Sequence, residues 1–155
     1  MIVGGLLSCA FWKGFEIMKR SEVREAAFLL GFEKTFSADS VDEIIDAAYE
    51  VDEFELNKDA EKLFKAVAEK ESELDAVIAE YSKKRSISRI PKVSLAILRI
   101  AIYEMIHDDK VPVNVAISEA VLLAKGYSYT SDVQFINGLL GAYAKDLENK
   151  EEVKE

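Results

Sequence analysis

The sequence predicts an all-α protein, and three observations carry that prediction. Apolar residues recur at helical spacing through most of the 155-residue chain. Glycine (7) and proline (2) are both scarce, which disfavours turn-rich β architectures. The polar breaks between the periodic segments carry residues that commonly start helices, such as Ser40 and Pro112. The length suits one domain with a substantial core.

The first periodic segment predicts a helix from about Lys19 to Thr35. Its apolar residues form two stripes on a helical wheel, and Arg20 and Arg24 lie one turn apart on a narrow basic seam between them. A helix with this pattern is expected to make contacts on more than one side.

The next segment begins with a sequence typical of a capping box, Ser40 followed three residues later by Glu43. Asn57 is then expected to cap a single long third helix that continues to Tyr81. Together with the first helix, these elements form the predicted N-terminal half of the bundle.

The second half is predicted to contain three helices. Pro91 suits the first turn of a helix over about 91–107, which is apolar nearly all round and is therefore expected to be central and buried. Pro112 marks the start of the next helix and Gly126 its end. Thr130 or Ser131 is expected to cap the last helix.

The ends of the chain differ from this helical domain, which we place at residues 18–147. Residues 1–17 form an apolar N-terminal extension that is too short to span a bilayer and lacks the basic start of a secretory signal. We interpret Met18 as the authentic start of the domain. Residues 148–155 are a charged tail that we expect to be frayed.

Charge is unevenly distributed along the chain, whose net charge is −9. Residues 33–80 carry 16 acidic and 5 basic residues, whereas residues 81–100 carry 6 basic residues and no acidic one. Such a basic segment can bind phosphate locally in an acidic protein. The alternative interpretation is a solvated loop with basic helix ends.

The composition gives no support for catalysis or for a cofactor. One cysteine excludes an intramolecular disulfide and suits the reducing cytoplasm. With one cysteine and one histidine, the chain cannot build a zinc site from soft ligands. It also lacks a phosphate-binding glycine loop and a dinucleotide-binding fingerprint. We therefore predict a protein that is not an enzyme, has no metal or cofactor, and does not enter a membrane.

Several ordered motifs resemble the NusB family of transcription antitermination factors. The stretch from Met18 resembles that family's basic opening helix, and Tyr81–Ile90 resembles the loop that joins its two helical halves. The three C-terminal motifs that match in order and spacing are LRIAIYEM at Leu98–Met105, VPVNVAISEAVLLAK at Val111–Lys125 and FINGLL at Phe135–Leu140.

This resemblance implies a compact bundle of about seven helices in two small packed subdomains. It also implies binding of the boxA segment of nascent RNA together with the small-subunit ribosomal protein that acts as NusE. In that family the pair joins the RNA polymerase antitermination complex and promotes read-through, notably in ribosomal RNA operons.

The resemblance further assigns candidate site residues. Matching positions in the first helix and at the start of the last one imply RNA-binding roles, and positions around the start of the central helix imply contact with the ribosomal protein, with Ser94 expected on the outward side. The RNA-binding candidates are Lys19, Arg20, Arg24, Ser131, Gln134 and Phe135, and the partner-binding candidates are Arg89, Pro91 and Ser94.

Arg99 stands out because it interrupts an apolar helix. A buried arginine usually has a carboxylate partner, so we predict a structural ion pair between Arg99 and Glu119, with Glu104 as a less favourable partner. Glu22 and Glu25 reduce the positive charge of the first helix. We therefore expect weak RNA binding by the protein alone and strong dependence on the partner.

Two other functions remain open at this stage. The chain can be a helical protein-interaction module or homodimer with little RNA binding of its own, as its acidic net charge suggests. It can also be an accessory part of a ribosomal RNA methyltransferase, which carries a similar helical domain, if the sequence is a fragment. RNA binding that depends on Arg20, Arg24 and Phe135 distinguishes the adaptor from the interaction module.

Overall fold

The computed structural model describes residues 19–83 and 85–154, and these residues form seven α-helices with no β-strand. The predicted all-α class is therefore confirmed. A short 3-10 turn, Ile87–Arg89, precedes the fifth helix. The helices are α1 Arg20–Lys34, α2 Val41–Tyr49, α3 Lys58–Glu69, α4 Glu71–Tyr81, α5 Lys92–His107, α6 Val113–Tyr127 and α7 Thr130–Lys154.

Two of the predicted helix starts are confirmed by their capping hydrogen bonds. The backbone N–H of Glu43 donates to Ser40 Oγ at 3.2 Å, while the N–H of Ser40 donates to the Glu43 carboxylate at 2.7 Å. Asn57 Oδ1 accepts from the N–H of Ala60 at 2.9 Å. These bonds satisfy N–H groups that the first turn of a helix leaves without partners.

The prediction of one long helix from Asn57 to Tyr81 is wrong. The chain leaves helical geometry at Lys70, whose φ of −97° and ψ of 11° separate α3 from α4. Neither glycine nor proline marks this break. The apolar pattern resumes at helical spacing beyond Lys70, so no local feature of the sequence indicates two helices.

The central position of α5 is confirmed. It packs against α1, α3, α4, α6 and α7, and Leu98 and Ile102 have no exposed surface. The contacts form two groups, with α1, α2 and α3 in one and α4, α5, α6 and α7 in the other. Contacts of α5 with α1 and α3 join the groups, in agreement with the two packed subdomains that we predicted.

The boundaries of the last helix differ from the prediction. The carbonyl of Tyr129 accepts the N–H groups of Asp132 and Val133, so Thr130 and Ser131 lie within the first turn and do not cap it. The helix continues through Lys154, which makes the tail from residue 148 helical where we expected it to fray. The predicted extension 1–17 lies outside the described residues.

Candidate nucleic-acid interface

An open cleft lies between the segment that follows α4 and the first turns of α7. Both walls contribute side chains suited to RNA, since basic groups bind phosphates and aromatic rings stack on unpaired bases. The lining residues are Tyr81, Ser82, Lys83 and Arg85 on one wall and Gln134, Phe135, Gly138 and Leu139 on the other.

The centre of the cleft is a contact between Arg85 and Phe135. The guanidinium carbon of Arg85 lies 4.7 Å from the centroid of the Phe135 ring, within the range of a cation–π interaction. Its Nη1 is also 3.5 Å from a carboxylate oxygen of Asp132, which is in the first turn of α7. Arg85 therefore bridges the two walls of the cleft.

The backbone of Arg85 is fixed by a buried serine. The N–H of Arg85 donates to the carbonyl of Ser82 at 3.1 Å, and Ser82 Oγ donates to the carbonyl of Arg85 at 2.7 Å. Lys83, between them, is exposed and has a φ of 35°, a left-handed conformation that is strained for a side chain other than glycine. This turn places two basic residues at the mouth of the cleft.

Tyr81 connects the beginning of this turn to the middle of α7. Its hydroxyl donates to the Asp146 carboxylate at 2.6 Å, and its ring lies 5.2 Å from that of Tyr143. The hydrogen bond to Asp146, assisted by burial, raises the pKa of Tyr81 to about 12. The wall of the cleft nearest α4 is therefore anchored to α7 at a second point.

The candidates at the start of α7 divide into two sets. Gln134 is exposed and Phe135 is half-buried, and both line the cleft. Ser131 is exposed in the first turn of the same helix, outside the cleft lining. The structure therefore places two of these three residues beside Arg85.

At the start of α1, Lys19 and Arg20 are exposed. The backbone N–H of Lys19 donates to the Glu22 carboxylate at 2.9 Å. Arg20 Nη2 pairs with Asp108 and lies 3.9 Å from Glu104, while half of its side chain stays accessible. Both cations are on the surface, but Arg20 already has a carboxylate partner.

The structure contradicts an RNA-facing role for Arg24. This side chain is buried and makes a bidentate ion pair with Glu104 at 2.6 and 2.7 Å, with Glu119 a further 3.3 Å from Nη1. Burial acts to lower the pKa of Arg24, but the hydrogen bond to Glu104 and the nearby carboxylates outweigh it and raise that pKa. The guanidinium remains charged and joins α1 to α5 and α6.

A second contact joins α1 to α6. The hydroxyl of Tyr127 donates to Glu25 at 2.5 Å, and its ring packs 5.0 Å from that of Phe28. The hydrogen bond to Glu25, together with desolvation, raises the pKa of Tyr127 to about 12. The acid that we expected to weaken RNA binding by α1 thus has a structural contact.

The predicted ion pair between Arg99 and Glu119 is wrong. Arg99 pairs instead with Asp75, with both nitrogen–oxygen distances at 2.8 Å, and approaches Glu71 at 3.2 Å. Both acids are on α4, whereas Glu119 approaches Arg24. Glu104, the second candidate, is likewise bonded to Arg24. The break at Lys70 places α4 beside α5, and the sequence pattern did not show that break.

The three residues predicted to contact the ribosomal protein differ in their exposure. Arg89 and Pro91 are exposed just before α5. Ser94 is fully buried, and its Oγ has no hydrogen-bond partner among the described residues. The expectation that Ser94 lies on the outward side of the helix is wrong, because α5 is surrounded by other helices.

Sequence reasoning missed the roles of Arg85 and Asp132 in the cleft. It singled out the basic segment 81–100 but assigned no contact to Arg85. The charge pattern identifies the segment as basic. The contacts of Arg85 with α7 join residues about fifty positions apart, and local sequence patterns do not reveal such contacts.

Across residues 19–83 and 85–154, no helix is long and apolar enough to cross a membrane. The same part of the chain contains no cluster of three or more histidine, cysteine or acidic side chains arranged to hold a metal ion.

Comparisons with known proteins give one consistent result. The family model described as the NusB family matches residues 17–145. The transcription antitermination protein NusB of Acetivibrio thermocellus is 42% identical over 132 residues, which cover 83% of this chain and 90% of that protein. NusB of Bacillus subtilis is 36% identical over 131 residues, covering 84% of this chain and 98% of its own length.

Solved structures agree with the sequence relatives. Thermotoga maritima NusB superposes with a TM-score of 0.74 at 29% identity, covering 84% of this chain and 93% of that one. A crystal structure of the antitermination factors NusB and NusE in complex with double-stranded RNA superposes with a TM-score of 0.71 at 26% identity, covering 82% and 96%. The chain belongs to the NusB family.

Proposed function

We propose that this protein is a cytoplasmic transcription antitermination adaptor that binds boxA-type RNA together with the ribosomal protein acting as NusE. It acts by binding and not by catalysis. In an antitermination complex with RNA polymerase, this binding would promote read-through in ribosomal RNA operons. The observation that carries the proposal is the cleft between the basic turn and α7, where Arg85, Lys83, Gln134 and Phe135 meet. A solved structural relative contains NusB and NusE with double-stranded RNA, which supports a ribosomal-protein partner and RNA as the classes of ligand.

The surface chemistry suits an unpaired RNA strand. Phe135 provides a ring for stacking, the Gln134 amide can bond to base edges, and Lys83 and Arg85 provide positive charge. Lys19, Arg20 and Ser131 supply further exposed polar contacts on α1 and α7. Arg89 and Pro91 remain the proposed contacts for the ribosomal protein.

The strength of RNA binding by the protein alone is expected to be low. Arg24 is committed to the buried Glu104, and Asp108 partly neutralises the exposed Arg20, so α1 presents little free positive charge. The ribosomal protein is expected to supply the remaining phosphate contacts, because affinity for RNA depends strongly on the number of phosphates neutralised.

The test is a titration of fluorescently labelled boxA RNA with this protein, with and without the NusE-type ribosomal protein of the same organism. Binding that tightens at least about tenfold with the partner, an effect of about 1.4 kcal/mol, and weakens for a scrambled RNA supports the adaptor. Phe135→Leu should weaken the binding of boxA RNA, while Lys62→Ala, a control substitution on α3, should leave it unchanged. An absence of sequence-selective binding under both conditions would overturn the proposal.

The alternative is an interaction module or homodimer, and one surface feature favours it. Val115 and Leu122 lie seven residues apart on α6 and are exposed, and Tyr129, which is 83% accessible, follows the end of that helix. Exposed apolar residues of this kind often mark an interaction surface. A concentration-dependent dimer in light scattering, abolished by Leu122→Lys and combined with no RNA binding, would favour this function.

A further inference from the structure

We propose that Arg85 is an RNA-binding residue whose guanidinium covers Phe135 in the free protein and moves to a phosphate when a base stacks on that ring. This inference rests on the proposed RNA-binding function and specifies how one nucleotide occupies the cleft. The ligand class is a single-stranded RNA nucleotide.

The first support is the position of the guanidinium over the ring. With its carbon 4.7 Å from the ring centroid, Arg85 occupies the space that a stacked base would need on that face of Phe135. A base and the guanidinium therefore compete for the same surface. A base and a guanidinium both stack favourably on an aromatic ring. When a base displaces Arg85 from Phe135, one stacking contact therefore replaces a similar one.

The second support is the contrast between the fixed backbone and the weakly held side chain of Arg85. Two hydrogen bonds to Ser82 hold the backbone in place. Among the residues that the structure describes, the guanidinium has one ion pair, at 3.5 Å, and 39% of the side chain is exposed. An ion pair of 3.5 Å with a partly exposed arginine is weaker than a short, fully buried one, so the side chain can move without disturbing the turn.

The third support is the charge of the surroundings. Asp132, in the first turn of α7, is 13% exposed, and its carboxylate would repel a phosphate that approached this turn. Because the backbone of Arg85 is anchored at the opposite wall, its guanidinium stays within the cleft when it leaves Phe135, and its charge there offsets that of Asp132 toward an incoming phosphate. The nearby Lys83 adds a second positive charge.

The test compares salt-dependent RNA binding by the wild type and by Arg85→Ala, Arg85→Lys and Lys62→Ala, using the complex with the NusE-type protein and labelled boxA RNA. Arg85→Ala is expected to weaken binding about five- to tenfold and to reduce the salt slope by about 0.7, the value for one phosphate contact to a single strand. Arg85→Lys should retain the slope, and Lys62→Ala should change neither quantity.

A double substitution tests whether the stacked base and the bound phosphate belong to the same nucleotide. If the base on Phe135 and the phosphate on Arg85 belong to one nucleotide, Arg85→Ala combined with Phe135→Leu should weaken binding by less than the product of the two single effects. Multiplicative effects would contradict the shared nucleotide.

The outcomes separate this inference from the proposed function. Wild-type complex that fails to bind RNA would overturn the proposed function. Wild-type binding that Arg85→Ala leaves unchanged, in affinity and salt slope, would overturn only the role of Arg85. Circular dichroism of each variant verifies folding, and a loss of helical content in Arg85→Ala would also overturn the inference by showing a structural role.

Discussion

Two arginines in this protein differ in what surrounds them, and the comparison separates structure from binding. Arg24 on α1 is buried and bonded to Glu104 and Glu119, which tie together three helices. Arg85, beyond α4, is partly exposed, rests on Phe135 and pairs with the Asp132 carboxylate at 3.5 Å. A buried charge is expensive to leave unpaired, whereas a surface pair is easily exchanged. The first arginine therefore holds the fold, and the second is available to a ligand.

The largest expected effect is on the buried pair. Arg24→Met removes both short bonds to the buried Glu104 and leaves it only the more remote Arg20, at 3.9 Å, so the free energy of unfolding should fall by about 3–5 kcal/mol. Urea denaturation followed by circular dichroism measures this loss. Adding Glu104→Leu should restore much of the stability, because the uncompensated charge is then removed.

An Arg24→Met variant as stable as the wild type would contradict the structural role. If that stable variant also bound RNA more weakly, the result would indicate that Arg24 contacts RNA.

A smaller loss of stability is expected at the ion pair between α4 and α5. Arg99→Met removes the bidentate bond to Asp75, which is half-buried, and should reduce the free energy of unfolding by about 1–2 kcal/mol. Glu119→Gln should have no effect on this pair. A double-mutant cycle between Arg99 and Asp75 measures their coupling, and coupling of Arg99 to Glu119 instead would contradict the observed pairing.

Arg20 is the exposed counterpart of Arg24 on the same helix, and the two should respond differently to truncation. Arg20→Ala should change the free energy of unfolding by less than about 0.5 kcal/mol, because half of its side chain is accessible to solvent. RNA affinity should fall a few-fold, as for the loss of one phosphate contact. Destabilisation as large as that of Arg24→Met would show that Arg20 also belongs to the structural cluster.

The smallest effect is expected at alkaline pH, where two tyrosines titrate. Hydrogen bonds to Asp146 and Glu25 raise the pKa values of Tyr81 and Tyr127 from 10.0 to about 12. Their stabilising contribution is therefore complete below pH 10 and is lost as the pH rises from 10 to about 12, because the unfolded protein ionises first.

The measurement is the pH dependence of unfolding for the wild type and the Tyr81→Phe, Tyr127→Phe double variant. The double variant should lose less stability than the wild type across that pH interval. If the free energies of unfolding of the two proteins changed in parallel with pH, the raised pKa values of the two tyrosines would be contradicted.

The fold could be predicted from the sequence because its signals are local. Helical periodicity, the Ser40–Glu43 capping box and the proline before α5 depend on neighbouring residues. The break at Lys70 escaped prediction for the same reason: the residues on both sides favour a helix, and only the packing of α4 against α5 and α7 accounts for the change.

The candidate site was less predictable, because a residue's type does not reveal its exposure. Ser94 and Arg24 appeared suited to contacts with a partner or with RNA, yet both are buried by neighbouring helices. Phe135 was placed near RNA by its match to the family motif. Its contact with Arg85 joins the turn after α4 to α7, and such a long-range contact requires the folded structure.

The most direct measurement is a nitrogen–proton NMR titration of the isotope-labelled protein with boxA RNA in the presence of the unlabelled ribosomal protein. It follows the Nε–H resonances of arginine side chains. The resonance of Arg85 should shift and saturate, while that of Arg24 should remain unchanged. A shift of Arg24 without a change at Arg85 would contradict the assignment of one arginine to the fold and the other to RNA.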